Sequence, residues 1–197
     1  MIQSIRRELN GVSYVEGKEG SASETKPHET HAQGASTPAT DIATKHYELE
    51  IEPTLEKGQV GFADLIEVAR AAEPFSTTIN VNDDRLLAPD SMIDEVCRAC
   101  ERSGQDVPHT IGELMRCVYL SLAQCYAHSI ADLEVLTGRT FASLNVVGGG
   151  SQDGYLSELT TRACGIPLYA GPTEGTALGN LAVQMIADGV FDSVADL

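Results

Sequence analysis

The sequence predicts an α/β fold in which short parallel strands alternate with helices. The first observation is the order of elements after residue 143: an apolar strand, three consecutive glycines, a helix, a second strand and a last helix. That order is typical of parallel pairing with right-handed crossovers. The second observation is a long apolar stripe at helical spacing just before it. Hydrophobic residues make up 42% of the 197 residues, which is enough for a packed core.

The N-terminal residues predict a short helix. Ile2, Ile5 and Leu9 recur at three- and four-residue spacing, and Gly11 follows them. We interpret residues 1–10 as a helix fragment of a larger domain. From 11 to 59 the chain is polar and rich in small residues, which predicts a flexible low-complexity insertion. Its histidines, His28, His31 and His46, lack the spacing of metal ligands.

Regular structure is predicted again from residue 60 to the C-terminus. A helix begins near Gly61, with Phe62, Leu65, Ile66 and Ala69 on its apolar face. The segment from Asn80 to Arg85 carries carboxylates, but an ordinary Asx-rich turn explains them better than a metal site does.

Two capping signals predict the next helices. Ser91 can cap a helix that runs to about Arg102 and ends before Gly104. Thr110 and Glu113 form a capping box, which opens the longest helix. One face of that helix is apolar and is predicted to be core: Ile111, Leu114, Met115, Val118, Tyr119, Leu122, Tyr126, Ile130 and Leu133. Gly138 ends it.

The C-terminal part carries the pattern that indicates function. Strands are predicted at Leu144–Val147 and Ile166–Ala170, and helices from Ser151 to about Cys164 and from Gly175 to about Asp188. Gly148, Gly149 and Gly150 lie between the first strand and its helix. Glycines let a backbone approach a ligand closely, and a following helix offers free N–H groups, so a nucleotide or another phosphate-bearing ligand fits. Close strand–helix packing is the alternative use of such glycines.

Two nucleotide-binding patterns fit poorly. A dinucleotide fold needs G-x-G-x-x-G after its first strand, and here Asp153 stands where the third glycine belongs. Glu174 is the candidate for its acidic residue but follows Gly171 and Pro172. A Walker loop is absent from the sequence.

A third pattern fits in several segments. The runs Val146–Asp153, Ala163–Pro167 and Ala170–Asn180 resemble the C-terminal signature of the FGGY carbohydrate kinases. Further segments narrow the resemblance to the branch that phosphorylates L-rhamnulose: Ile79–Arg85, Ala88 and Pro89 with Met92, and Leu114–Ala123. The resemblance covers about residues 62–191 and the first few residues.

The resemblance implies a fold, a reaction and a site. The fold is an actin-like ATPase (ribonuclease H-like) domain, of which this chain is an incomplete C-terminal half. The reaction is transfer of the γ-phosphoryl group of ATP, with Mg²⁺, to a sugar hydroxyl. The resemblance places the adenosine against the glycine turn, with these residues binding the nucleotide: Gln3, Gly148, Gly149, Gly150, Gln152 and Asp153. No metal ligand is assigned, and the close interdomain packing is expected at Ala177 and Gly179.

The sequence departs from the family pattern at two residues and at its start. Asp153 stands where Asn is common; a carboxylate repels phosphate, but Asp is also an excellent helix cap. Gly175 stands where Ala is usual. The resemblance places the catalytic Asp, the phosphate loops and the sugar pocket upstream of Met1. We therefore expect no kinase activity from this chain alone.

Charge and cysteine content limit the partners. The net charge of −16 argues against nucleic acid and anionic membranes. There is no apolar run of membrane-spanning or signal-peptide length, so a cytoplasmic protein is expected. Five cysteines fit free thiols. Cys97 and Cys100 lack a second pair for zinc, and Cys100 could approach Cys117 if their helices pack antiparallel.

Three functional hypotheses stay open on the sequence. The first is the nucleotide-binding half of a sugar kinase, as a split-gene product that pairs with a separately encoded N-terminal half, a mis-started frame or a trimmed chain. The second is a non-catalytic interaction module with the same fold, which Asp153 favours. The third is a fragment of a dinucleotide-binding oxidoreductase. Apolar surface left where a first domain would dock is expected to favour self-association.

Overall fold

The computed structural model describes residues 1–11 and 44–193, in two compact units, Met1–Val118 and Tyr119–Leu197. The helices are α1 (Ile2–Leu9), α2 (Phe62–Ala71), α3 (Met92–Arg102), α4 (Ile111–Thr137), α5 (Gly154–Cys164) and α6 (Gly175–Ala187). The strands are β1 (Leu144–Val146) and β2 (Leu168–Ala170), which pair in parallel. The predicted α/β class and the parallel pairing are confirmed.

The first unit packs α1, α2, α3 and the start of α4 around an apolar core. Ile5 and Leu9 of α1 are buried, as are Leu65, Val68 and Ala69 of α2. The Glu8 carboxylate accepts hydrogen bonds from Ser91 Oγ (3.0 Å) and Met92 N (2.5 Å), so α1 also caps α3. A carboxylate at a helix N-terminus is stabilised by the helix dipole.

Residues 44–59 differ from the flexible insertion predicted for 11–59. Asp94 of α3 accepts hydrogen bonds from His46 Nδ1 (2.6 Å) and Tyr47 N (2.9 Å), and Arg98 Nη1 donates to Lys45 O (3.0 Å). Leu55 is buried as well. Composition alone did not reveal this segment, because hydrogen bonds to residues distant in the sequence, rather than a local apolar pattern, hold it. Residues 12–43, with His28 and His31, lie outside the described residues.

Helix capping follows the sequence closely. Ser91 Oγ accepts a hydrogen bond from Asp94 N (3.1 Å), as predicted. Thr110 Oγ1 accepts one from Glu113 N (3.1 Å), but the Glu113 carboxylate returns to His109 N (2.7 Å) instead of to the cap residue. The Asx turn is also confirmed, since Asp83 Oδ1 accepts from Arg85 N (3.0 Å).

The cysteines are free thiols. Cys97, Cys100 and Cys117 are buried in the first unit, and the sulfurs of Cys100 and Cys117 lie 3.8 Å apart. Burial raises the pKa of the Cys97 thiol to about 12, so that thiol stays protonated at neutral pH.

The apolar stripe of α4 is core along only part of its length. The side chains from Ile111 to Tyr119 on that face are at most 2% exposed, whereas Tyr126 is 41% and Leu133 45% exposed. The expectation that the stripe is core as far as Leu133 is therefore wrong for its C-terminal half. In its described part the second unit holds a sheet of only two three-residue strands, and it leaves Tyr126 and Leu133 partly exposed.

Candidate functional site

The glycine turn lies directly after the C-terminal end of β1. Gly148 has φ 85°, a conformation that side-chain-bearing residues rarely adopt. Its N–H donates to Pro172 O (3.1 Å), while Gly171 N donates to Val146 O (2.7 Å), so the pairing of β1 and β2 continues into both turns. A short 3-10 helix, Gly149–Gln152, then leads into α5. This short helix is why α5 begins at Gly154 rather than at the predicted Ser151.

Gly149 and Gly150 face open space. A Cβ atom built on either residue would meet no heavy atom of the chain within 4 Å, and both residues are exposed. Packing within the chain therefore does not require glycine at these two positions. Gly171 is different, because its Cβ would lie 3.0 Å from Val147 Cγ1 and 3.3 Å from Val146 O. Close packing within the chain, here against the end of β1, thus accounts for glycine at Gly171 and not at Gly149 or Gly150.

Ser151 closes the turn from inside. Its side chain is buried, and its Oγ lies 2.7 Å from Gly148 O and 3.2 Å from Gly171 O. The single hydroxyl proton therefore ties the glycine turn to the turn that follows β2. Sequence reasoning missed Ser151, although its position immediately after three glycines was a usable signal.

Asp153 is the N-cap of α5. Its Oδ1 accepts a hydrogen bond from Leu156 N (2.9 Å), and its Oδ2 accepts one from Tyr119 OH (2.9 Å). Both oxygens are therefore engaged with the protein. The capping role that the sequence left open for this departure from the family pattern is the one that the structure shows.

Tyr119 is the partner that sequence reasoning missed. It is fully buried in α4, and its ring meets that of Tyr155 edge-on, with centroids 5.0 Å apart. Burial and the nearby Asp153 charge both raise the pKa of Tyr119, so its phenol stays a proton donor. The sequence analysis placed Tyr119 among the apolar core residues of α4. Its hydroxyl group was the one sign of a further role, because a buried tyrosine hydroxyl needs a hydrogen-bond partner.

The other predicted site residues are distributed as follows. Gln152 is exposed beside the turn, where its Nε2 donates to Thr173 Oγ1 (3.2 Å). Gly148, Gly149, Gly150, Gln152 and Asp153 thus belong to one continuous turn. Gln3 is an exposed residue of α1 in the first unit, and its place in a nucleotide site stays a prediction.

The charge of this site favours the neutral part of a nucleotide. The free N–H groups and the dipole at the start of a helix attract anions. Here the Asp153 carboxylate already occupies the start of α5. A phosphate placed there would meet a like charge, so the nucleoside is the better occupant of this end of the turn.

Among the described residues, no group of three or more His, Cys, Asp and Glu side chains is placed to hold a metal ion. None of the described helices is long and apolar enough to cross a membrane.

Comparison with known proteins gives a consistent result. Residues 21–187 match the model of the C-terminal domain of the FGGY family of carbohydrate kinases. The chain is 44% identical over 131 residues to a rhamnulokinase of Ligilactobacillus salivarius strain UCC118, which covers 66% of this chain and 27% of that protein. It is 44% identical over 126 residues to the rhamnulokinase of Bacillus subtilis strain 168. This stretch covers 64% of the present chain and 26% of that protein. For the rhamnulokinase of Bacteroides thetaiotaomicron the identity is 37% over 143 residues. This stretch covers 73% of the present chain and 30% of that protein. The chain spans little more than a quarter of the length of these relatives.

Proposed function

This chain belongs to the FGGY family of carbohydrate kinases, and on that premise we propose that it forms the nucleotide-binding part of a sugar kinase that resembles rhamnulokinase. In the proposed reaction the γ-phosphoryl group of ATP is transferred to L-rhamnulose, which gives L-rhamnulose 1-phosphate and ADP. The motif-based resemblance to this branch of the family is confirmed by the relatives, whereas the activity is proposed.

The open glycine turn carries the proposal. Gly149 and Gly150 have no packing partner within 4 Å, so the surface of the turn is free for a flat, largely neutral group such as adenosine. Ser151 and Asp153 hold the turn through contacts within the protein, to Gly148 O and from Tyr119 OH. Gln152 is proposed to contribute a polar contact at its edge, whereas Gln3, in the first unit, stays a predicted nucleotide-binding residue.

Mg²⁺ is proposed to arrive with the nucleotide. The carboxylate nearest the turn, Asp153, already accepts two hydrogen bonds, and the described residues form no cluster of metal ligands. The residues present do not fit a Mg²⁺ site of their own. The ion is therefore proposed to bind the nucleotide phosphates and groups outside this chain.

The proposed actin-like domain is incomplete in the second unit, and its surface supports this. Parallel sheets are normally covered on both faces. Here several large apolar side chains are more than half exposed: Val135, Leu136, Val147, Tyr169, Leu178, Leu181 and Val183. We propose that the sugar-binding part of the kinase, with the catalytic Asp, covers this surface and that the present chain does not turn over sugar without it.

Calorimetric titration of the chain with Mg·ADP, with NAD as the control ligand, tests the proposal. A Gly149→Leu variant would fill the open surface of the turn and should weaken ADP binding at least tenfold. Ala142→Leu is a matched control, because Ala142 is an exposed residue that precedes β1 instead of following it. Equal binding of NAD and ADP would favour the oxidoreductase hypothesis. Absence of binding by both ligands would favour the non-catalytic module.

A further inference from the structure

We infer that Tyr119 is a positioning residue of the nucleotide site: it holds the Asp153 carboxylate, and through it the glycine turn, in the arrangement that accepts the nucleotide. The inference rests on the proposed function, since it concerns the same turn.

The connection consists of contacts that follow one another. Tyr119 OH donates to Asp153 Oδ2 (2.9 Å), and the backbone N–H of Asp153 donates to Gly150 O (3.2 Å). Asp153 is thus attached to α4 by its side chain and to the last glycine of the turn by its backbone. We therefore expect a displacement of Asp153 to displace Gly150 as well.

The tyrosine itself is well fixed. Tyr119 is fully buried, and Tyr155 of the first turn of α5 is 3% exposed. Their edge-on rings give α4 a second contact with the first turn of α5, independent of the hydrogen bond. Removing only the hydroxyl group should leave this ring contact in place, so the fold of the unit should persist.

The hydroxyl also determines where the Asp153 charge points. With Tyr119 present, Oδ2 is directed to a buried phenol. Without the phenol, this oxygen loses its donor, and the side chain should turn toward the water beside the turn. A carboxylate facing that space would repel the phosphates of ADP more than it would affect uncharged adenosine.

The expected result distinguishes positioning from plain destabilisation. Tyr119→Phe should weaken ADP binding about tenfold, in keeping with loss of a hydrogen bond to a charged group. Adenosine binding should change less. Adding Asp153→Asn to Tyr119→Phe should restore part of the ADP affinity, because it removes the released charge. A purely structural role of Tyr119 predicts equal losses for both ligands and no restoration.

The experiment compares the full chain, Tyr119→Phe, the double variant and Tyr126→Phe by calorimetry with Mg·ADP and with adenosine. Tyr126 is the matched control, a tyrosine of the same helix that is 41% exposed. Hydrogen exchange at residues 148–156 should become faster in Tyr119→Phe and stay unchanged in Tyr126→Phe. If Tyr119→Phe does not fold, Asp153→Ser, which keeps a capping oxygen but is too short to reach Tyr119, tests the same link.

Each outcome has a separate meaning. Normal ADP binding and normal exchange in Tyr119→Phe would overturn the inference while the proposed function stands. Failure of the unmodified chain to bind ADP would contradict the proposed function. The exchange measurement would then still decide whether Tyr119 fixes the turn, and unchanged exchange would overturn that as well.

Discussion

The interpretation of Asp153 changes once its neighbours in the structure are known. As a sequence feature it is a carboxylate next to the nucleotide that the family resemblance implies, which suggests a disabled site. In the structure its two oxygens accept hydrogen bonds from Leu156 N and Tyr119 OH, so the charge serves the helix cap. The substitution relative to the family pattern is therefore compatible with nucleotide binding.

Cys97 gives a prediction about pH at the same scale. Burial raises its pKa to about 12 in the folded chain, against roughly 8.5 for an exposed thiol. A group with a raised folded pKa contributes stability below its unfolded pKa and loses that contribution as pH rises toward the folded pKa. The free energy of unfolding should thus fall between about pH 8.5 and pH 12, by up to about 1.4 kcal/mol per pH unit from this thiol.

Urea unfolding at pH 8 and pH 10 checks this expectation. The Cys97→Ala variant, which lacks the titrating group, should show a smaller decrease between the two pH values. Cys125→Ala is the control, because Cys125 is a partly exposed thiol. An equal decrease in the original chain and in Cys97→Ala would contradict the assignment.

At the scale of elements, the segment from Lys45 to Tyr47 is held on α3 mainly by carboxylates of that helix. Asp94 is buried and accepts from His46 Nδ1 and Tyr47 N, and Lys45 Nζ lies 2.9 Å from Glu101 Oε2. Arg98 and Arg102 both pair with Glu95 on α3, at 2.9 and 2.7 Å. The attachment of the segment therefore depends on a few carboxylates of one helix.

Asp94→Ala should release this segment locally. We expect a loss of about 1–3 kcal/mol, because the partners of a buried acceptor lose their hydrogen bonds. Cleavage by trypsin after Lys45 should become several-fold faster. Glu73→Ala, at an exposed residue of the same unit, should leave cleavage unchanged. Unchanged cleavage in Asp94→Ala would show that other contacts hold the segment.

The elements that sequence predicted well are those with local signals. Ser91, Thr110, Gly138 and the triple glycine each mark a boundary by their own chemistry, and α3, α4 and β1 lie where these residues place them. The elements that it predicted poorly depend on distant partners. Nothing local to residues 44–59 reveals the carboxylate of Asp94, and nothing local to Tyr119 reveals Asp153, 34 positions away.

At the scale of the molecule, charge and exposed apolar surface act in opposite directions. The net charge of −16 keeps copies of the chain apart, whereas Val135 and Leu136, which are 84% and 81% exposed, favour association. Salt screens the first effect and leaves the second, so self-association should increase with ionic strength.

Sedimentation velocity at 50 and 500 mM NaCl measures this balance, because the Debye length falls from about 14 Å to about 4 Å between these concentrations. We expect a larger share of dimer and higher species at the higher salt concentration. Leu136→Lys should reduce that share, while Ala71→Lys, which changes the net charge equally at an exposed residue of α2, should not. A decrease of association with salt would indicate that ion pairs, not apolar surface, hold the copies together.

The exposure of α6, the last helix, affects how readily the chain is degraded in a cell. The 13 residues of α6 include no charged side chain and no buried one. An uncharged helix without a cover is a segment that chaperones engage and that proteases reach when it frays. The abundance of this protein should then depend on what covers α6 after synthesis, so that an uncovered chain is degraded and a covered one accumulates.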